Sequence, residues 1–481
     1  MATDIKKRSF TEGPLFFKMI MFALPIIATG ILQTMYTMAD NIVVGRFSGD
    51  ETALGSVGST SALTNLTINL LIGIAAGTSV VIAQSYGAKQ DKIVSRAVHT
   101  ALSFSLIGGL IFMTLGLIFS GPALHLMGTK DVYIEGAKLY FRIICLGIPA
   151  TSIYNFGAAI LRSVGDSKTP LIVLATTGLV NVGLNFLFVV GFGMSVAGVA
   201  IATISSQYLS AVAVVWVLMK KRGQCYCFSF KDLCFDWRLF GRILRFGIPS
   251  GLQSSLFSIS NIILTSGVNT LASVVGPSGE LLYSDTVVTA YTVSGNIDAI
   301  TFTTCNSFHH TAMTFVGQNY GAKKPDRIKK IILYSLLQVV FFGILISQTE
   351  LLLAKPLVSL YVDPKLSADM ITKITEQTIA IMKLLLNVYF LCGIMDVLSG
   401  IAKGLGYSIA PMIMSLTGIC GIRILWVFTV FPNFQTIQGL LVSYPVSWGI
   451  TIILLGSLVI YAMIRTFKKF TSKPSESDWQ I

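Results

Sequence analysis

The sequence predicts an all-α membrane protein with twelve transmembrane helices in two six-helix halves. Three observations lead there. Of the 481 residues, 53% are hydrophobic and only 12% charged, with a mean hydropathy of +0.74; a soluble globular chain carries about 25% charged residues. The apolar excess is gathered into blocks long enough to cross a bilayer, which takes about 20 residues per helix. Finally, the second half repeats phrases of the first: "VIAQSYGAKQ" (Val81 to Gln90) returns as "FVGQNYGAKK" (Phe315 to Lys324).

In chain order the blocks cover roughly 16–44, 53–84, 98–120, 139–161, 171–192, 196–219, 246–270, 286–317, 331–354, 379–402, 411–432 and 437–464. The first contains "KMIMFALPIIATGILQTMYTMADNIVVG", which is too long for a cleavable signal peptide and lacks a small-residue cleavage site, so it reads as a span. Spans 2 and 8 each end in a copy of the doubled phrase. Span 4 ends in "RSVGDSKTPLI" and span 10 in the related "KGLGYSIAPMI". The basic stretch Lys220 to Arg245 separates spans 6 and 7. The expected organisation is therefore a half at 1–219, a linker at 220–245, a second half at 246–464 and a tail at 465–481.

Orientation follows from the bases, which accumulate on the cytoplasmic side. With the N-terminus inside, roughly three-quarters of the 35 Lys and Arg fall in the termini, the linker and the loops after even-numbered spans. Both termini are expected in the cytoplasm of a bacterial-type cell membrane. The net charge of +13 is thereby explained by topology and by attraction to anionic lipid. Divided among many short loops, it does not suggest a nucleic-acid partner.

The repeats fix the architecture further. Pro25 aligns with Pro249 at an offset of 224, the doubled phrase with its copy at 234, and Gly198 with Gly439 at 241. The growth places insertions between spans 7 and 8 and between spans 9 and 10, in loops where they are tolerated. A repeat of six spans, an even number, gives both halves the same orientation. They should be related by a pseudo-two-fold axis along the membrane normal, as in transporters. In the doubled phrase itself the residues suggest architecture: Gly to end the helix, Gln for freed carbonyls, and Tyr and Lys for the interface.

The "GQNYGA" phrase after span 8, its twin "AQSYGA", the "RSVGDSKTP" turn and the six-plus-six repeat together resemble the multidrug and toxic compound extrusion (MATE) family over essentially the whole chain. The resemblance implies two six-helix lobes around a central cleft and an antiporter exchanging Na⁺ or H⁺ for organic, often cationic, drugs.

Ionisable groups at membrane depth are candidates for the chemistry. Asp40 closes span 1, and Gln33, Tyr36 and Asp40 share one helical face at i, i+3 and i+7. On span 5, Asn181 and Asn185 stand at i and i+4. Amide oxygens suit hard cations such as Na⁺, and amides also join helices in lipid. Thr203 on span 6 adds a hydroxyl that could equally bond its own helix. The resemblance implies an N-lobe cation site of an Asp on span 1, two polar residues on span 5 and a Thr on span 6, and Asp40, Asn181, Asn185 and Thr203 match it. Where some relatives carry a second carboxylate on span 5, this chain has Asn185. The candidate cleft or cargo contacts are Gln33 and Tyr36 in the first half and Asp298, Asp396 and Arg423 in the second. The resemblance implies that Asp396 matches an acidic position that binds cations in some relatives. Arg423 is the expected partner of Asp298 or Asp396.

Other residues point nowhere specific. His309 and His310 are adjacent and so project about 100° apart on a helix, unsuited to one metal. Cys225, Cys227 and Cys234 fit no zinc spacing, and the seven cysteines carry no disulfide pattern. No P-loop, nucleotide fingerprint or GxSxG is present, which argues against ATP-driven transport and against an enzyme. No cofactor beyond the coupling Na⁺ or H⁺ is expected. An intramembrane enzyme or channel would need a catalytic cluster or charged pore ring that is missing. The nearest rival is a lipid-linked precursor flippase, which would favour a basic cleft. Asp40, Asp298 and Asp396 against Arg423 favour a cationic drug or metabolite instead. A monomer in contact with membrane lipid is expected.

Overall fold

The computed structural model describes residues 10–49, 52–271, 286–362 and 366–471, and among them every regular element is helical. The first six helices are α1 (Leu15–Phe47), α2 (Ala53–Gly87), α3 (Asp91–Leu126), α4 (Asp131–Ser163), α5 (Lys168–Gly191) and α6 (Val196–Lys220). There follow α7 (Trp237–Leu271), α8 (Thr286–Gly321), α9 (Pro325–Leu352), α10 in two arms (Ala368–Leu386 and Phe390–Gly404), α11 (Ile409–Asn433) and α12 (Ile437–Thr471). Nine of these are individually long and apolar enough to span a membrane, and the two arms of α10, bent by 45°, form a tenth. Helices α7 and α8 complete the twelve. They are more polar because much of their polarity is turned inward: Gln253, Ser255 and Ser260 on α7, and Thr301, Thr304, Ser307 and His309 on α8, are buried.

The chain forms two compact units. Met21–Ser258 belong to the first, while Phe10–Ile20 and the residues from Ile259 onward belong to the second. The boundaries therefore run through α1 and α7. In the first unit, Phe156, Ile160, Leu161, Val81, Ile82 and Ile243 belong to one apolar core. Helices α2 and α7 approach at backbone distance: a methyl on Gly73 would run into Gly251, and one on Gly77 into Gly247 and the Ile243 carbonyl. Small residues allow such contacts where lipid offers no competing burial. The expected linker is folded against this unit. Tyr226 and Phe228 are buried, the Ser229 amide meets His99 Nε2 at 3.1 Å, and the Asp236 amide donates to Thr100 Oγ1 at 3.1 Å.

The sequence repeats are also repeats of backbone conformation. Lys89 and Lys323, one in each copy of the doubled phrase, adopt left-handed φ values of 56° and 54°. In both copies the amide of this lysine bonds the tyrosine carbonyl three residues back, and the next amide bonds the carbonyl five residues back. This corrects the expectation that glycine ends the helix: Gly87 and Gly321 are its last helical residues, and the left-handed position falls on the lysine two residues later. The turn after α4 and the turn after the second arm of α10 match in the same way, with Gly165 at φ 97° and Gly406 at φ 96°. There glycine does supply the left-handed residue.

In the second unit the doubled phrase has a further task. Phe10 stacks on Phe315 with ring centroids 3.8 Å apart. The Phe10 amide donates to Gln318 Oε1 at 3.1 Å, and Asn319 Nδ2 donates to the Phe10 carbonyl at 3.2 Å. Arg327 Nη2 reaches the carbonyls of Phe10 and Gly13, and Lys324 Nζ that of Thr11. The segment before α1 is thus fixed to the end of α8 by the residues that made the phrase recognisable.

Candidate functional site

Three helices of the first unit converge on Asp40. Helix α1 carries the carboxylate, α5 carries Asn181 and Asn185 one turn apart, and α6 carries Thr203. Asn185 Nδ2 donates to Asp40 Oδ1, and Thr203 Oγ1 donates to Asp40 Oδ2 at 3.3 Å. The same Asn185 amide reaches Asn181 Oδ1 at 3.4 Å. Asn185 is fully buried and Asn181 nearly so. Directly after Asn185 the α-helix gives way to a π-helical turn, Phe186–Gly191. Such turns alter which residues share a face and are frequent at functional sites.

The oxygen inventory fits a hard monovalent cation. Asp40 supplies the negative charge, and Asn181 Oδ1 and Thr203 Oγ1 supply neutral oxygens. Asn185 Oδ1 is buried with no hydrogen-bond partner, an arrangement costly enough to require an explanation. A cation accepted among these oxygens would satisfy it. A proton on Asp40 would also provide a donor for it, once the amide is turned.

The two candidate cleft contacts of α1, Gln33 and Tyr36, do not join the Asp40 set. Gln33 is exposed and lies outside this hydrogen-bonded set. Tyr36 turns to α5, where its hydroxyl donates to the Ala175 carbonyl at 3.2 Å and its ring occupies the space left by Gly178. Tyr140 on α4, within electrostatic reach of Asp40, was not anticipated; nothing in its local sequence, "GAKLYFRI", distinguishes it from an interfacial tyrosine.

In the second unit the structure separates the expected acid–base partners. Arg423 is buried on α11, its guanidinium 4.0 Å over the Tyr444 ring; Nε donates to Ser447 Oγ at 3.2 Å and Nη1 to Asn261 Oδ1 at 3.3 Å. It forms no ion pair with Asp298, Asp396 or any other described carboxylate. The expected pairing is therefore corrected: the aromatic face and two neutral oxygens on α7 and α12, rather than either acid, hold the guanidinium. Asp396 is buried in the second arm of α10, its backbone carbonyl 2.7 Å from His309 Nδ1, and Lys403 is the base whose charge it feels. Asp298 is instead within electrostatic reach of Glu350. Glu350 is itself buried and accepts from the Thr301 amide at 3.1 Å and the Thr301 hydroxyl at 2.8 Å. Sequence reasoning passed over Glu350 and Lys403, although an acid in "ISQTELLL" and a base in "SGIAKGLG" both interrupt apolar runs.

A duplicated all-helical membrane fold, with a carboxylate and amides gathered at one interior site beside a broken helix, is the build of a membrane transporter. Comparison makes the assignment specific. The chain belongs to the MatE family, whose profile matches residues 25–187 and 249–429, one match in each half. It is 28% identical to the probable multidrug resistance protein YoeA of Bacillus subtilis over 452 residues, covering 91% of this chain and 92% of that protein. It is 25% identical to the probable multidrug resistance protein NorM of Thermotoga maritima, covering 87% and 86%. The fold matches an outward-facing multidrug resistance MATE family transporter of the MOP superfamily with a TM-score of 0.83 at 21% identity, over 96% and 98% of the two chains.

Proposed function

We propose that this chain is a secondary active antiporter that exports organic, cationic, drug-like compounds in exchange for Na⁺ or H⁺ by alternating access. The observation that carries the coupling is the Asp40–Asn185–Thr203 set with its orphaned Asn185 oxygen. A site with an incomplete shell has a loaded and an empty state, and cargo that prefers one of them is coupled to the ion. By reciprocity, whatever the ion does to cargo affinity, cargo does to ion affinity. An inward gradient then drives expulsion, with about 2.3 kcal/mol per charge per 100 mV available from the potential.

The multidrug resistance names of the relatives support a small organic cargo. The distribution of Lys and Arg supports a bacterial cell membrane with both termini in the cytoplasm. The chain works as a monomer. Efflux of a panel of organic cation dyes from loaded proteoliposomes, under an imposed Na⁺ gradient and then a pH gradient, tests the reading. Export under at least one gradient is expected, and dye retention under both while a labelled anionic lipid is flipped would replace it with the flippase.

A further inference from the structure

The internal repeat gives the Asp40 site a counterpart in the second unit, and its charge is reversed. At the offset of 224, Asp40 corresponds to Leu264, which is buried and apolar. At the offset of 241, Thr203 corresponds to Tyr444 and Ser206 to Ser447. Tyr444 and Ser447 are two of the residues around Arg423.

Helices α5 and α11 need one adjustment. Each contains a π-helical turn, after the site residues in α5 (Phe186–Gly191) but before them in α11 (Leu416–Gly421). A π turn holds one more residue than an α turn. Between the two turns the register therefore advances by one, from 241 to 242, and Asn181 corresponds to Arg423. One amide of the cation site has become a guanidinium, and the carboxylate of the site has become a leucine.

This guanidinium is buried at membrane depth, and among the described residues no carboxylate pairs with it. A charge in that position is expensive and normally paired. Two of its nitrogens are committed to neutral oxygens, on Ser447 and Asn261. Among the described residues Nη2 has no hydrogen-bond partner, and Asn261 beside the group is exposed. Aromatic surface surrounds the group: Tyr444 lies under it, Trp448 has its ring centroid 6.0 Å away, and the Tyr444 and Tyr291 hydroxyls are 2.9 Å apart. Tyr389 packs on Trp448 with centroids 5.3 Å apart.

We infer that the second unit carries an oxyanion-recognition site, in which Arg423, held on the Tyr444 ring, takes the carboxylate of an aromatic cargo molecule. A planar guanidinium matches a planar carboxylate and stacks on aromatic faces, which lysine does neither as well. The inference rests on the exporter reading for the anion's being part of a cargo. It also deepens that reading. Compounds bearing a carboxylate beside their basic group are admitted, while the first unit keeps the Asp40 carboxylate–amide set for the coupling cation.

Isothermal titration of the purified full-length chain with 2-naphthoate and with its neutral isostere 2-naphthamide tests the site. The wild type is expected to prefer naphthoate by about tenfold or more. Arg423→Gln is expected to abolish the preference while leaving naphthamide affinity unchanged. Should that variant fail to fold, Arg423→Lys decides. It is expected to lower naphthoate affinity several-fold with no change for naphthamide. A wild type without preference, a preference that survives either substitution in full, or equal losses for both probes overturns the proposal. Binding in detergent needs no gradient. A chain that shows the Arg423-dependent preference yet exports nothing would refute the antiporter reading and keep this one.

Discussion

Replacing Asp40 with asparagine keeps the volume of the side chain and removes the one formal charge of the candidate coupling site. Asp40 accepts from Asn185 and Thr203. Charge-assisted bonds are worth about 1.5–3 kcal/mol and neutral ones about 0.5–1.5 kcal/mol, so the exchange weakens the pair by about 2–3 kcal/mol. Relief from burying a carboxylate offsets much of that, and folding stability should change little. Cation binding has no such compensation. At an effective dielectric constant of about 20, two unit charges about 4 Å apart attract by about 4 kcal/mol, which corresponds to a roughly thousandfold loss of affinity. The proton site disappears as well. The assay is dye efflux from proteoliposomes under separate Na⁺ and pH gradients, alongside a melting curve. Expected is efflux at the passive leak under both gradients, with melting within a few degrees of wild type. An Asp40→Asn protein that pumps at the wild-type rate under both would refute the reasoning and move coupling to Asp396.

Three further outcomes are expected. Asn185→Ala, which removes a donor to Asp40 and the orphaned oxygen, should raise the Na⁺ concentration for half-maximal efflux about tenfold and disturb proton-driven efflux less; equal effects in the two assays would remove Asn185 from the ion's shell. Gly73→Ala should destabilise the first unit by about 2–3 kcal/mol, because its methyl meets the Gly251 backbone; an unchanged melting temperature would show that α2 and α7 part at no cost. Lys323→Gly should raise the melting temperature, since a left-handed non-glycine residue costs about 1–2 kcal/mol, whereas Lys323→Val should lower it.

Where MatE relatives already supply the name, the particular residues show how far the sequence reaches. The order of twelve spans was legible because each needs its own apolar block, and a bilayer enforces that residue by residue. The repeat was legible because Lys89 and Lys323, and Gly165 and Gly406, are held in matching backbone conformations that only certain local sequences accept. Asp40 could be named because ionisable groups at membrane depth are few, and Asn181, Asn185 and Thr203 because they match the N-lobe pattern of the family. Their convergence depends on how α1, α5 and α6 are rotated, and on a π turn that no periodicity announces.

Pairing was beyond the sequence. Arg423 looked like the natural partner of Asp298 or Asp396, yet it lies on Tyr444 between Ser447 and Asn261, while Asp298 is near Glu350 and Asp396 near Lys403. Gln318 and Asn319 announced a family phrase, and only the fold shows them gripping Phe10. The physical reason is the range of the forces. Span length, helix ends and left-handed turns are set within a few residues, so the chain alone determines them. Which charge meets which depends on side chains from helices distant in sequence, and that is decided only when they pack.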